Sequence, residues 1–158
     1  MSAISAIAVF DTKKIKGTVR FVEDTRNDCV IIHIDIHGLK KNGLHGFHVH
    51  ECGDMSDQCE SMCAHFNPYG KPHGGPDSVH RNVGDLGNLE TDAYGIAKYT
   101  TKDSMIKLRG TKCNIIGRGL IIHADEDDCG KGNFSDSLIT GHAGKRIACA
   151  VIGYAKVS

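Results

Sequence analysis

A chain of 158 residues is long enough to bury one hydrophobic core, and its nineteen basic residues balance nineteen acidic ones. That neutrality excludes partners bound through bulk charge, nucleic acid and membrane surfaces among them, and no apolar run approaches the ~20 residues that cross a bilayer. A cytoplasmic protein is therefore expected, and seven cysteines with ten histidines raise the prior for metal while leaving at least one thiol unpaired.

In chain order, residues 3–37 are predicted to form three strands divided by polar turns: Ala6-Ile7-Ala8-Val9-Phe10, the alternating Ile15 to Phe21, and Val30 to Ile36. In the third, Val30, Ile32, Ile34 and Ile36 form a stripe of period two, which leaves His33 and His37 on the opposite, exposed face. The next segment, Gly43 to Glu51, carries the chemistry. Its alternation puts His48 and His50 on one side of an extended chain and Phe47 and Val49 on the other, so two imidazoles can converge on one ion from a rigid support.

From Cys52 to Asn88 periodicity disappears, and Gly, Pro, Asn, Asp, His and Cys fill the stretch. A loop of this length inside a compact domain is usually functional, and His65, His73, His80 and Asp85 could order it around a cation. Short strands are expected again at residues 95–99, 105–108 and 115–123, the last ending on His123, before a second loop from Ala124 to His142 rich in Asp, Gly and Ser. Residues 146–154 form the final expected strand. No C-x-x-C pair occurs, so a tetrathiolate zinc ribbon is not expected. The fold expected is all-β: an eight-stranded antiparallel Greek-key barrel or sandwich with two long functional loops.

With these pieces placed, the sequence resembles the copper/zinc superoxide dismutases over nearly its whole length. Gly46-Phe47-His48-Val49-His50-Glu51-Cys52-Gly53-Asp54 is similar to the family's copper-ligand strand, and Gly141-His142-Ala143-Gly144-Lys145-Arg146-Ile147-Ala148-Cys149 to its carboxy-terminal signature. His65-Phe66-Asn67-Pro68, His73-Gly74-Gly75-Pro76, Gly84-Asp85-Leu86-Gly87-Asn88 and Leu120-Ile121-Ile122-His123 follow in the family's order. The resemblance implies one such domain over residues 1–158, which dismutes superoxide to dioxygen and hydrogen peroxide with copper and zinc as cofactors. By the same resemblance His48, His50, His65 and His123 ligate copper, His65 bridges to zinc, and His73 and Asp85 help hold the zinc. It further implies that Arg146 orients the anion, that Thr140 narrows the channel, that Asp127 links a copper ligand to a zinc ligand, and that Cys59 and Cys149 form a disulfide. The remaining cysteines, 29, 52, 63, 113 and 129, are expected mainly as small buried hydrophobes.

Two departures from the family pattern stand out. The position of its third zinc histidine is Asn82, so His80 swings in, or Asn82 offers its carbonyl oxygen, or water completes the site; His80 is slightly favoured and a weak zinc site is expected. In the second loop, Ser135-Asp136 and Ile139 replace the family's usual glutamate pair and lysine, which predicts weaker long-range steering of superoxide. The competing readings are a dismutase-like copper chaperone, or a metal-storage module without turnover. Family members are commonly homodimers, and Ile116-Gly117-Arg118 with Val151-Ile152-Gly153 match the usual contact surface.

Overall fold

Alternation in the sequence becomes one sheet almost residue for residue. In the computed structural model, which describes residues 2–156, β1 (Ser5–Asp11) pairs with β2 (Lys16–Asp24), and β2 with β3 (Cys29–His37), in unbroken antiparallel register. Ala6, Ala8, Phe10, Val19, Phe21, Val30, Ile32, Ile34 and Ile36 point inward and are buried, while His33 and His37 face solvent as their period requires.

β4 (Leu44–His50) begins the second sheet and carries His48 and His50. It lies between β5 (Asp85–Glu90) and β7 (Gly119–His123), and β8 (Arg146–Val151) flanks β7. β6 (Ala97–Asp103) and the two-residue β9 (Gly153–Tyr154) close the two edges of the first sheet, giving strand orders 6-3-2-1-9 and 5-4-7-8, all antiparallel. The chain crosses between sheets after β3, β5, β6 and β8, the Greek-key pattern that was expected, and the apolar faces of both sheets meet in one core. Among the described residues no helix is long and apolar enough to cross a membrane.

Three expectations about elements are corrected. β5 occupies part of the segment read as loop; Gly87 at φ +81 and the polar Asp85 and Asn88 hide its period. Residues 105–108 are not a strand. Asp103 accepts the backbone N–H groups of Met105 and Ile106, turning the chain so that Ile106 and Leu108 plug the core. The last expected strand divides at Ile152, because β8 pairs with β7 in one sheet and β9 with β1 in the other.

Two long connections, residues 51–84 and 124–145, fold over the outer face of β4 and β7. That face would otherwise be wet. Instead His48, His50 and His123 are buried there, opposite the core-facing Phe47, Val49, Leu120 and Ile122. The Cys59–Cys149 disulfide ties the first connection to β8, as the resemblance implied.

Candidate metal centre

Each strand histidine is oriented by a hydrogen-bond acceptor, and the acceptor decides which ring nitrogen is left bare. His50 Nδ1 donates to the Cys63 carbonyl over 2.8 Å, and His123 Nδ1 to the Gly144 carbonyl over 3.1 Å. His48 Nε2 donates to Asp127 Oδ2 over 2.5 Å. His65, delivered by the first connection and bridged to His50 along the backbone, points Nδ1 at Asp85 Oδ1 and Asn82 Oδ1, 3.1 and 3.2 Å away. All these partners accept hydrogen bonds, so the proton of each neutral ring sits on the bonded nitrogen.

The four remaining nitrogens, His48 Nδ1, His50 Nε2, His65 Nε2 and His123 Nε2, are buried and without a hydrogen-bond partner. They lie within 4.8 Å of one another. Buried polar atoms are normally satisfied, and lone pairs converging without a donor are suited to a cation. Four imidazole nitrogens around one point match the preference of copper, and they fit zinc as well. Burial, reinforced by the neighbouring imidazoles, pushes His48 and His50 far below the usual histidine range, and burial holds His123 at about 4. These three rings are therefore neutral ligands across physiological pH, and the His48–Asp127 contact is a neutral imidazole donating to a carboxylate.

A second cluster shares His65. His65 Nδ1, His73 Nδ1 and Asp85 Oδ1 converge, with Asp85 Oδ1 3.1 Å from the first and 2.8 Å from the second. Asp85 Oδ2 is occupied by the backbone N–H groups of Gly74 and Asn82, which turns Oδ1 toward the rings. Burial opposes charge on Asp85, yet hydrogen bonds from His65 and His73 hold its carboxyl well below the usual carboxylate range. Burial likewise opposes charge on His73, but its bonds to Asp127 and Asp85 prevail and raise it to about 9. Mixed imidazole and carboxylate donors at this spacing suit zinc.

Asp127 joins the clusters from outside. Its Oδ2 takes the His48 proton, its Oδ1 accepts His73 Nε2–H over 2.8 Å, and Asn88 clamps its backbone on both sides. Gly141, at φ +75, borders this bridge so closely that any side chain there would strike the Asp127 carboxylate and the His73 ring.

Arg146, at the start of β8, is fixed by two carbonyls of the disulfide-tied connection: Nη1 to Cys59 over 2.8 Å and Nη2 to Cys63 over 2.6 Å. The Cys63 carbonyl also accepts His50 Nδ1–H, which places the guanidinium beside the first cluster, and its charge adds to the depression of His50 and His123. Thr140 is half-buried, with its hydroxyl against Asp136.

This architecture has known counterparts. The family profile described as copper/zinc superoxide dismutase (SODC) matches residues 15–152. The chain belongs to the copper/zinc superoxide dismutase family. It is 63% identical over 153 residues to the Cu-Zn superoxide dismutase of Paramecium bursaria Chlorella virus 1, covering 97% of this chain and 80% of that protein. It is 52% identical over 146 residues to the extracellular Cu-Zn superoxide dismutase of Drosophila melanogaster, covering 90% of this chain and 78% of that one. The crystal structure of the clock protein EA4 superposes with a TM-score of 0.93 at 42% identity, covering 98% of this chain and 97% of the other.

The structure brings together every residue that the superoxide dismutase resemblance placed at the metals, but not the substitute favoured for the missing third zinc histidine. His80 is exposed and outside both clusters, because Arg81 next to it turns inward to pair with Asp103 Oδ1 at 2.7 Å. The slight preference for His80 is corrected, and Asn82 occupies the position instead. His45, read as a packing or supporting residue, donates Nδ1–H to the His123 carbonyl over 2.7 Å and so steadies a strand-end ligand. Arg81, Asp103 and Asn88 were missed; polar residues in loops carry no periodic signal of an inward partner. Of the extra cysteines, Cys29 alone is buried, Cys52, Cys113 and Cys129 are half-buried, and Cys63 is exposed, so the expectation of buried thiols holds for one.

Proposed function

We propose that this chain dismutes superoxide, converting two superoxide anions and two protons to dioxygen and hydrogen peroxide. The observation that carries this reading is the set of four bare, buried nitrogens beside a fixed guanidinium. His48, His50, His65 and His123 are the residues that would hold copper, and His65, His73 and Asp85 those that would hold zinc. Copper, when bound, supplies reversible one-electron exchange between its cupric and cuprous states.

The chain's own residues do the rest. Arg146 offers a planar, always charged donor to the anion at the edge of the cluster, and its two carbonyl partners keep it from folding away. His65 Nε2 is the atom that takes up a proton and passes it toward reduced oxygen, while its Nδ1 stays directed at Asp85 and Asn82. Asp127 keeps His48 and His73 in the tautomers that present Nδ1 inward. Thr140 borders the approach.

A storage module has no use for a guanidinium held beside its metal, so the enzymatic reading is preferred. The test is stoichiometry. Mixed with superoxide, copper- and zinc-loaded protein is expected to keep decay far above the spontaneous rate through many equivalents per chain, releasing dioxygen and peroxide in equal amounts. A carrier would consume at most one equivalent per copper and stop.

The same reading extends to assembly and compartment. The 116–118 and 151–153 segments join through Gly117 N–H to the Ile152 carbonyl and Ile152 N–H to the Arg118 carbonyl, and Val151 is exposed, which supports a continuous dimer surface. Sedimentation at twice the chain mass is the expected result. Five cysteines lie outside the disulfide as free thiols, which supports a reducing cytoplasmic setting even though one relative is named extracellular.

A further inference from the structure

We infer that Asn82 Oδ1 is the fourth protein donor to the second metal ion, making it a centre of two imidazoles and two oxygens. The inference rests on the reading of the second cluster as a zinc site and adds a ligand to it. Asn82 is 3% exposed, and every other polar group it carries has a partner. Its backbone N–H donates to Asp85 Oδ2 over 2.7 Å, its carbonyl accepts Arg81 Nε over 3.0 Å, and its side-chain Nδ2 donates to the Lys71 carbonyl over 2.8 Å.

The bond to Lys71 fixes which way the amide faces, because only the nitrogen end can donate to a carbonyl. Oδ1 is thereby turned inward onto His65 Nδ1, 3.2 Å away. Donors about 2.0 Å from a tetrahedral zinc stand about 3.3 Å apart. The contacts from His65 Nδ1 to Asn82 Oδ1, from His65 Nδ1 to Asp85 Oδ1 and from His73 Nδ1 to Asp85 Oδ1, at 3.2, 3.1 and 2.8 Å, are close to the edges of such a tetrahedron.

The buried Arg81 explains why the amide stays there. It pairs with Asp103 and donates to the carbonyls of Pro76, Asn82 and Val83, pinning the backbone on both sides of Asn82. An amide is shorter than an imidazole, and a cleft of about 510 Å³ runs from outside to His65 and Asn82, its walls including Lys71, Arg118 and Ile139. A neutral amide oxygen is a poorer zinc donor than imidazole. The second ion is accordingly held less tightly than by three histidines.

The experiment measures zinc affinity by chelator competition on the copper-loaded protein, with cobalt(II) absorption at the same centre as a second readout. Asn82→Ala is expected to raise the zinc dissociation constant by roughly ten- to hundredfold, Asn82→Asp to lower it, and Asn82→His to lower it while slowing zinc loss; such factors are typical when support for a metal site is altered. The cobalt spectrum is expected to change in all three variants, as it must when a coordinating atom is replaced. Equal zinc affinity and an unchanged cobalt spectrum in Asn82→Ala and Asn82→Asp would overturn the inference while leaving the zinc centre in place. If Asn82→Ala fails to fold, the Asn82→Asp affinity and spectrum decide between the two results. Failure of the unaltered protein to bind zinc would instead overturn the reading on which the inference rests.

Discussion

Asp127 Oδ1 accepts the His73 Nε2 proton over 2.8 Å where neither side chain is exposed to solvent. Its other oxygen takes the proton of His48, so one carboxylate fixes a ring in each metal cluster.

Asp127→Ala removes both acceptors and frees both rings to rotate. Zinc affinity is expected to fall by roughly ten- to hundredfold, and copper affinity by less, because His50, His65 and His123 keep their own acceptors. Chelator competition for each metal checks this, and equal retention of zinc by the variant would contradict it.

The metal-free protein should be most stable near pH 6.5. His73 is raised from 6.5 to about 9, so its contribution is fully present below about 6.5 and is lost as the pH climbs through about 9. His123, held at about 4, works in the opposite direction: it is neutral in the fold and protonated in the unfolded chain, so its contribution is present above 6.5 and lost as the pH falls through 4. His48 and His50 add to that acid-side loss. Zinc displaces the His73 Nδ1 proton, so loading should abolish the alkaline decline and release that proton to the buffer. Melting temperatures from pH 5 to 9, with and without zinc, are the measurement; a flat metal-free profile above pH 6.5 would contradict the assignment.

Arg146→Ile should lower turnover by roughly ten- to hundredfold, the kinetic equivalent of losing one charge-assisted hydrogen bond of about 1.5–3 kcal/mol. Copper content should not change, since the guanidinium touches carbonyls and not the bare nitrogens. An unaltered rate at equal copper would remove Arg146 from the mechanism.

The rate should depend only shallowly on ionic strength. In the second connection Ile139 is an exposed apolar residue, and the Asp136 carboxylate is paired with His142 at 2.7 Å, whose ring stacks on Phe134. With Ile139 uncharged and Asp136 the one acidic residue of the 135–136 pair, less charge is left at these positions to guide an anion over distance. Catalysed superoxide decay measured from low to high salt checks this, and a steep fall would contradict it.

What the sequence made legible follows from how each feature is encoded. β1 announces itself by a short apolar run and β2 to β4 by period two, and the same period places His48 and His50 on one side with the core on the other. β5 does not, because Asp85 and Asn88 serve the metal face and Gly87 takes a left-handed turn inside the strand. Composition offers His65, His73 and Asp85 as candidates but offers His80 equally, and their separate roles, with Asp127, come only through likeness to a family, since nothing in a loop's composition says which polar groups will meet. The amide direction at Asn82, the Arg81–Asp103 pair and the Asn88 clamp are long-range pairings that only the folded chain displays.

The central claim is that four imidazole nitrogens gather one redox-active ion under a fixed guanidinium. Stepwise addition of copper to the zinc-loaded protein, with superoxide decay recorded at each step, tests it most directly. The account predicts a rate that rises in proportion to copper and breaks sharply at one copper per chain. Copper bound at one per chain with no acceleration of decay, or a rate still climbing beyond that point, would contradict it.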